Sequence, residues 1–190
     1  MFETVRNAFK IKDLRKKLFY TFFALIVVRI GSQLPVPGVK YEAIREMFNS
    51  QKSLDFFNQL TGGSFEQMSI FALNITPYIT ASIIIQLLTI AIPRLEELHK
   101  DGEEGRKKLT EYTRYVTIGL SVLESAAMAI GFGNSGYLTD DKITFTSVSV
   151  IIVSLTAGSA FLMWLGEQIT EKGVGNGISI ILLYNIVSRL

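Results

Sequence analysis

The chain has 190 residues, of which 48% are hydrophobic and 19% are charged, and its mean hydropathy is +0.33. This composition favours a membrane protein with several spans over a soluble domain. The net charge of +2 is too small to indicate nucleic-acid binding. The chain contains no cysteine, which excludes disulfides and thiol chemistry.

The first 17 residues are charged and amphipathic. They carry six basic residues and a rough apolar stripe formed by Phe2, Val5, Phe9 and Ile11. We predict that residues 1–17 form a cytoplasmic helix on the membrane surface, and a solvated basic tail is the alternative. No small-residue cleavage site follows, so we do not expect a cleavable signal peptide.

Five apolar stretches predict membrane spans. They lie, in chain order, at residues 18–34, 76–92, 115–131, 145–166 and 178–190. Residues 36–59, 94–112, 132–144 and 167–177 are polar or glycine-rich and are read as loops, the first with one helix. The last stretch would form roughly 20 Å of helix, against a hydrocarbon core of about 30 Å. We therefore expect this span to be incomplete and the chain to be truncated.

Lysine and arginine are distributed unevenly among these segments. Thirteen lie in the N-terminal segment, in residues 94–114 and in residues 167–177, whereas the other two loops hold only Lys40, Arg45, Lys52 and Lys142. Because cytoplasmic loops carry the excess of basic residues, we predict a cytoplasmic N-terminus.

The apolar run Ser69–Pro93, SIFALNITPYITASIIIQLLTIAIP, is interrupted near its start. Pro77 has no backbone N–H and disfavours the α conformation at Thr76. The run therefore predicts a long helix over about residues 76–92, preceded by a separate short arm.

The arm has a helix-start pattern of its own. Gly62 and Gly63 predict a flexible turn, and Ser64 with Gln67 three residues later predicts a capping box. An arm over residues 64–73 is too short to cross a bilayer. We therefore expect it to pack against protein or in a cavity at membrane depth.

Two stretches resemble signatures of the SecY family of protein-translocation channels. They are Ser69–Pro93 and Trp164–Leu182, WLGEQITEKGVGNGISIIL, and the similarity extends over essentially the whole chain. One departure is Asn74, where the family usually has glycine. The resemblance implies an all-α, multi-span helix bundle: the first five helices of a ten-helix channel built from two inverted halves, with a short re-entrant plug helix.

The resemblance also implies roles for individual residues. The plug would comprise residues 60–73, including Leu60, Gly62, Gly63, Ser64, Phe65, Gln67, Ile70, Phe71 and Leu73, with a hinge at Asn74 and Pro77. The pore ring would be formed by Ile75, Ile79, Ile178 and Leu182. The lateral gate would include Thr80, Ile83, Leu87 and Glu124. A docking surface for cytoplasmic partners would include Arg106, Lys107 and Lys108.

Two of these assignments can be weighed chemically. The four pore residues form two pairs spaced i, i+4, and from the residues alone lipid-facing packing is their default interpretation. Aliphatic side chains would also form a seal that disfavours water and ions, because they offer no hydrogen-bonding groups. The carboxyl group of Glu124 is costly in a span unless it is paired, hydrated or protonated, and the family usually has an uncharged amide there.

The implied function is passive conduction of unfolded polypeptides across the bacterial plasma membrane, with lateral release of apolar segments into the lipid bilayer. The implied partners are SecE and SecG, the SecA motor or a ribosome, secretory and membrane preproteins with their signal peptides, and the C-terminal half of the channel. No cofactor and no specific nucleic acid are expected.

Two alternatives belong to other classes. A secondary transporter also uses broken helices and inverted repeats, but it would need a polar midplane site. A purely structural half-protein that pairs with another chain is the second. An enzyme is not expected, because His99 has no metal-ligand spacing and the glycines at residues 173–177 lack the Lys-Ser/Thr of a phosphate loop.

Overall fold

The computed structural model describes residues 11–50, 58–59, 61–139 and 144–188. Within these ranges the chain is helical, with isolated β-bridges but no strand. The helices are α1 Lys12–Gly31, α2 Tyr41–Ser50, α3 Thr76–Ala91, α4 Pro93–Lys100, α5 Gly102–Asn134, α6 Phe145–Lys172 and α7 Gly177–Val187. The prediction of an all-α fold is confirmed. Most of the N-terminal segment and plug residue Leu60 lie outside the described residues.

The helices belong to two compact units. The first contains α1, α2, residues 61–72, the end of α6 from Phe161, and α7. The second contains residues 36–40, α3, α4, α5 and the beginning of α6. The predicted site residues are therefore divided between the units, and each unit is described by itself.

The long helix after the interruption begins where the sequence predicts. α3 starts at Thr76 with Pro77 in its first turn, where the missing N–H of proline costs no intrahelical bond. It ends at Ala91, because Ile92 is extended and the next residue is Pro93.

The loop predicted over residues 94–112 is wrong, because these residues are helical. They form α4 and the first turns of α5, and α4 is bent by 104° from α3. The corner between α4 and α5 requires glycine: Gly102 has a φ of 73°, and a Cβ at Gly105 would overlap the Leu98 carbonyl. The two glycines that indicated a loop instead allow two helices to meet closely.

Among the described residues, two helices, α5 and α6, are long and apolar enough to cross a membrane, and the bent pair of α3 and α4 would be a third. The first predicted span, residues 18–34, lies largely within α1. The opening turns of α1 carry the charged residues Lys12, Asp13, Arg15, Lys16 and Lys17. α7 is apolar but has only 11 residues. The assignment of α1 and α7 as membrane spans stays a prediction.

In the second unit, α5 packs through a stripe of small residues. Its buried positions recur every fourth residue and include Thr113, Thr117, Ser121 and Ser125. Each of these hydroxyls donates to a carbonyl oxygen of α5 itself, so burial leaves no polar group unsatisfied. Small side chains allow close helix contact in a membrane, where α5 packs on α3 and α4.

In the first unit, glycines allow α6 and α7 to fold tightly onto each other. A Cβ at Gly177 would overlap the Gly166 carbonyl, and one at Gly173 would lie 2.5 Å from Thr21 Oγ1. Thr21 Oγ1 also accepts a hydrogen bond from the Val174 amide at 3.1 Å. The glycine-rich turn is thereby fixed to α1, and this contact sets where α7 begins.

This packing predicts that Gly177→Ala destabilises the protein. The added methyl has no space, so we expect a loss of about 1–3 kcal/mol, seen as a lower midpoint of thermal unfolding in detergent. Gly119→Ala is the matched control, because nothing lies within 4 Å of a Cβ there. Equal midpoints for the two variants would show that the α6–α7 contact is not tight.

Candidate functional site

The arm before α3 is not the short helix that was predicted. Residues 61–75 form successive turns. The predicted capping box is also wrong, because the Ser64 amide donates to the Thr61 carbonyl and the Gln67 amide to the Gly63 carbonyl. Positive φ angles at Gly62, Gly63 and Met68 prevent a regular helix.

The turns nevertheless satisfy their backbone amides. Each amide from Gly62 to Ala72 donates a hydrogen bond, to a carbonyl oxygen or to a side-chain oxygen. The Ile70 amide reaches outside the segment to the Leu34 carbonyl at 3.0 Å. A non-helical segment of this kind can lie at membrane depth when protein covers it.

The segment is held at both ends within the first unit. At its start, Gly62 packs against α7, where a Cβ would lie 3.2 Å from the Asn185 Cα, and its carbonyl accepts from Arg29 Nη1 at 3.5 Å. At its other end, the Phe71 ring occupies the space in which Gly31 would carry a side chain. The Phe71 ring also stacks on Phe161 with the centroids 6.0 Å apart. Most of the described plug residues are thus packed against protein, as the sequence led us to expect, whereas Gln67 is exposed.

The predicted hinge has the backbone conformation that its sequence suggests. Asn74 is buried and has a φ of 54°, a left-handed conformation that asparagine adopts more readily than most residues. The departure from glycine at this position therefore keeps the required geometry.

The four predicted pore residues lie at the starts of α3 and α7. Ile75 precedes α3 and is 1% exposed, and its carbonyl accepts the Ile79 amide at 3.1 Å, one helical turn away. Ile178 and Leu182 are half-buried on α7, also one turn apart. The start of α7 is fixed by Asn176, whose Oδ1 accepts the Ser179 amide at 3.2 Å. The convergence of the two pairs into one ring stays a prediction.

The predicted gate residues lie in the second unit. Ile83 and Leu87 form an exposed apolar face of α3, and Thr80 is half-buried one turn before Ile83. Glu124 is half-buried on α5. Within the described part of the chain, the side chains of Thr80 and Glu124 form no hydrogen bond or ion pair.

The predicted docking residues Arg106, Lys107 and Lys108 are exposed on the first turns of α5 rather than on a loop. Arg106 and His99 line a groove of ≈ 320 Å³ between α3, α4 and α5. Nearby on α4, Lys100 pairs with Glu96 at 2.6 Å, and this contact lowers the pKa of Glu96 and raises the pKa of Lys100. Among the described residues, no group of three or more His, Asp or Glu side chains could hold a metal ion.

These features define a helical membrane protein in which one apolar run is interrupted by a packed, non-helical segment. A family model named SecY matches residues 69–190, which include both predicted signature stretches. The chain belongs to the SecY family, and the resemblance read from the sequence is confirmed.

Curated relatives support the same assignment. The chain is 48% identical over 193 residues to the protein translocase subunit SecY of Bacillus subtilis (strain 168), covering 100% of this chain and 44% of that protein. It is 42% identical over 201 residues to the subunit of the same name from Streptomyces coelicolor, covering 99% and 46%. The chain therefore spans less than half the length of these relatives.

A solved structure shares the fold. It is described as Sec61 in the canine ribosome–channel complex from the endoplasmic reticulum, with a TM-score of 0.62 and 20% identity. The match covers 91% of this chain and 36% of that chain.

The left-handed hinge generates a prediction. Asn74→Gly should be tolerated, because glycine adopts a φ of 54° freely, whereas Asn74→Val should destabilise by about 1–2 kcal/mol. The measurement is the thermal unfolding midpoint in detergent. Asn134→Val, the same exchange at the exposed last position of α5 where φ is not positive, is the matched control. If Asn74→Val is no worse than Asn134→Val, position 74 does not need this conformation.

Proposed function

We propose that this chain forms the N-terminal half of a SecY-type channel that passively conducts unfolded polypeptides across the bacterial plasma membrane. The observation that carries the proposal is the family match over residues 69–190, which contains the interrupted run and the glycine turn before α7. Because the chain spans less than half the length of its relatives, conduction requires the C-terminal half as well. We propose a channel rather than an enzyme.

The seal of this channel would be the pore ring of Ile75, Ile79, Ile178 and Leu182. Each pair stands at the start of a helix whose position is fixed, by Pro77 for α3 and by the glycine turn for α7. Aliphatic side chains exclude water and ions by dewetting and impose no fixed register on a passing peptide.

The plug would be the turn segment before α3, and Asn74 and Pro77 would form its hinge. A segment held by turns and side-chain contacts can leave its site with less disruption than a segment continuous with a span. This supports a movable role for residues 61–73, in which the segment closes the channel from outside and is displaced during transport.

The proposed partners follow from the family. In the membrane these are SecE, SecG and the C-terminal half. At the cytoplasmic face they are SecA or a translating ribosome, which would contact the exposed Arg106, Lys107 and Lys108. The N-terminus and the α4–α5 corner would then be cytoplasmic, as the excess of basic residues predicts.

The other candidate functions are less well supported. The family match does not favour a secondary transporter, and the residues flanking the interruption are isoleucines rather than polar groups. A purely structural half-protein remains testable, because it would assemble with its partner half but support no export.

The lateral gate would include Thr80, Ile83, Leu87 and Glu124. The half-buried carboxyl group of Glu124 would cost roughly 2.5–3.5 kcal/mol if it faced lipid unpaired. We propose that it faces the gate seam, where opening hydrates it. The acid would therefore favour the open gate relative to an apolar residue.

This proposal predicts that Glu124→Leu stabilises the closed gate, so that a signal sequence must be more hydrophobic to be exported. Glu124→Gln, which keeps the hydrogen-bonding capacity, is the control and should behave much like the parent. The measurement is export of a reporter carrying signal sequences of graded hydrophobicity into vesicles with the complete channel. If Glu124→Leu requires the same signal-sequence hydrophobicity as the parent, the gate role is contradicted. If the parent channel exports the reporter with none of the signal sequences, the channel function is contradicted.

A further inference from the structure

The first half of the turn segment is organised by one buried side chain. Asn58 is 1% exposed, and its side chain contacts Glu66 twice. Its Nδ2 donates to Glu66 Oε2 at 2.7 Å, and its Oδ1 accepts the Glu66 amide at 3.3 Å. The Asn58 carbonyl also accepts from the Gly63 amide at 2.9 Å and from Thr61 Oγ1 at 3.2 Å. Asn58 thus closes the turn from residue 61 to residue 66.

The same carboxylate connects the segment to α2. The second carboxylate oxygen of Glu66, Oε1, lies 3.3 Å from Nε of Arg45. The Glu66 side chain is 14% exposed, whereas that of Arg45 is 68% exposed. The Glu66 carboxylate is therefore largely shielded from solvent, whereas the Arg45 guanidinium is solvated. The pair borders a cavity of ≈ 410 Å³ that is also lined by Gln33, Tyr41 and Gln67.

We propose that Asn58 and Glu66 form a polar lock that keeps the segment closed, and that Arg45 tethers this lock to α2. The proposal rests on the proposed function of the segment as the plug. Asn58 and Glu66 are positioning residues, since they act on the conformation of the segment and not on the transported chain. The segment opens when their contacts break, and the contacts with Phe71 and α7 at its two ends are not sufficient to keep it shut.

The chemistry of these contacts predicts how strongly each substitution increases opening of the segment. A hydrogen bond to a charged group contributes more than a partly exposed ion pair, because solvent screens the pair. Glu66→Ala and Asn58→Leu remove the hydrogen bonds and should have large effects. Glu66→Gln keeps an acceptor for Asn58 but loses the charge that Arg45 contacts and that strengthens the Asn58 hydrogen bond, so its effect should lie between those of Arg45→Met and Glu66→Ala.

The test uses the complete channel, cleared of other cysteines, with Ser64→Cys as a reporter. Ser64 is 3% exposed, and this chain contains no natural cysteine. The rate at which a charged, membrane-impermeant thiol reagent modifies the cysteine reports how often the segment opens. We expect increases of at least about tenfold for Glu66→Ala and Asn58→Leu, about threefold for Arg45→Met, and an intermediate increase for Glu66→Gln.

Two controls separate the lock from general destabilisation. Glu46→Gln, an exposed change on the same helix as Arg45, should leave the rate unchanged. The double variant Arg45→Met/Glu66→Gln should react no faster than Glu66→Gln alone, because Glu66→Gln already removes the ion pair with Arg45. An unchanged rate in Glu66→Ala, or additive rates in the double variant, would overturn the lock.

Ion conductance of the same channels distinguishes this proposal from the plug function. The ion leak of a channel in which residues 64–73 are deleted gives the limit for a channel without the segment. If Glu66→Ala raises both the thiol rate and the leak toward that limit, the lock and the plug function are both supported. If the thiol rate rises without any leak, and the deletion also causes none, the lock stands and the plug function fails.

Discussion

Where an apolar run is interrupted, its backbone amides and carbonyls lose their helical partners, and the structure depends on how this chain replaces them. From Gly62 to Ala72, every amide donates a hydrogen bond although no helix forms. Three of these bonds go to the side chains of Thr61, Asn58 and Ser69. The segment can therefore leave the helical path at low cost, and α3 can begin afresh at Thr76.

Close packing of glycines is the second constraint. The α6–α7 turn needs Gly173 and Gly177 because a Cβ at either would overlap a backbone carbonyl, and the α4–α5 corner needs Gly105 for the same reason. In both places a short chain reversal brings two helices together at a fixed position. Ile178 and Leu182 follow the α6–α7 turn on α7, so their positions depend on the geometry of this turn. This dependence links the second signature stretch to the proposed pore.

The sequence predicted features that depend on local backbone chemistry. Pro77 predicted the start of α3. Asn74, at a position where the family usually has glycine, has a left-handed backbone conformation that either residue can adopt. The prediction of a plug helix was wrong, because the side chains of Thr61 and Asn58 accept the Phe65 and Glu66 amides that a helix would have used. The sequence offered no sign that Glu66 would reach Arg45. The buried small residues that recur every fourth position along α5 were a readable pattern that we missed.

The central claim is that the aliphatic pairs at the starts of α3 and α7 line the path of a polypeptide. The most direct test is disulfide cross-linking from a secretory chain, stalled in transit with one cysteine, to single cysteines placed in the complete channel. The account predicts cross-links to Ile79→Cys and Ile178→Cys, but not to Ile90→Cys, whose parent side chain is 81% exposed on α3. Cross-linking to position 90 as strong as to position 79, or none to either pore position while the chain is in transit, would contradict it.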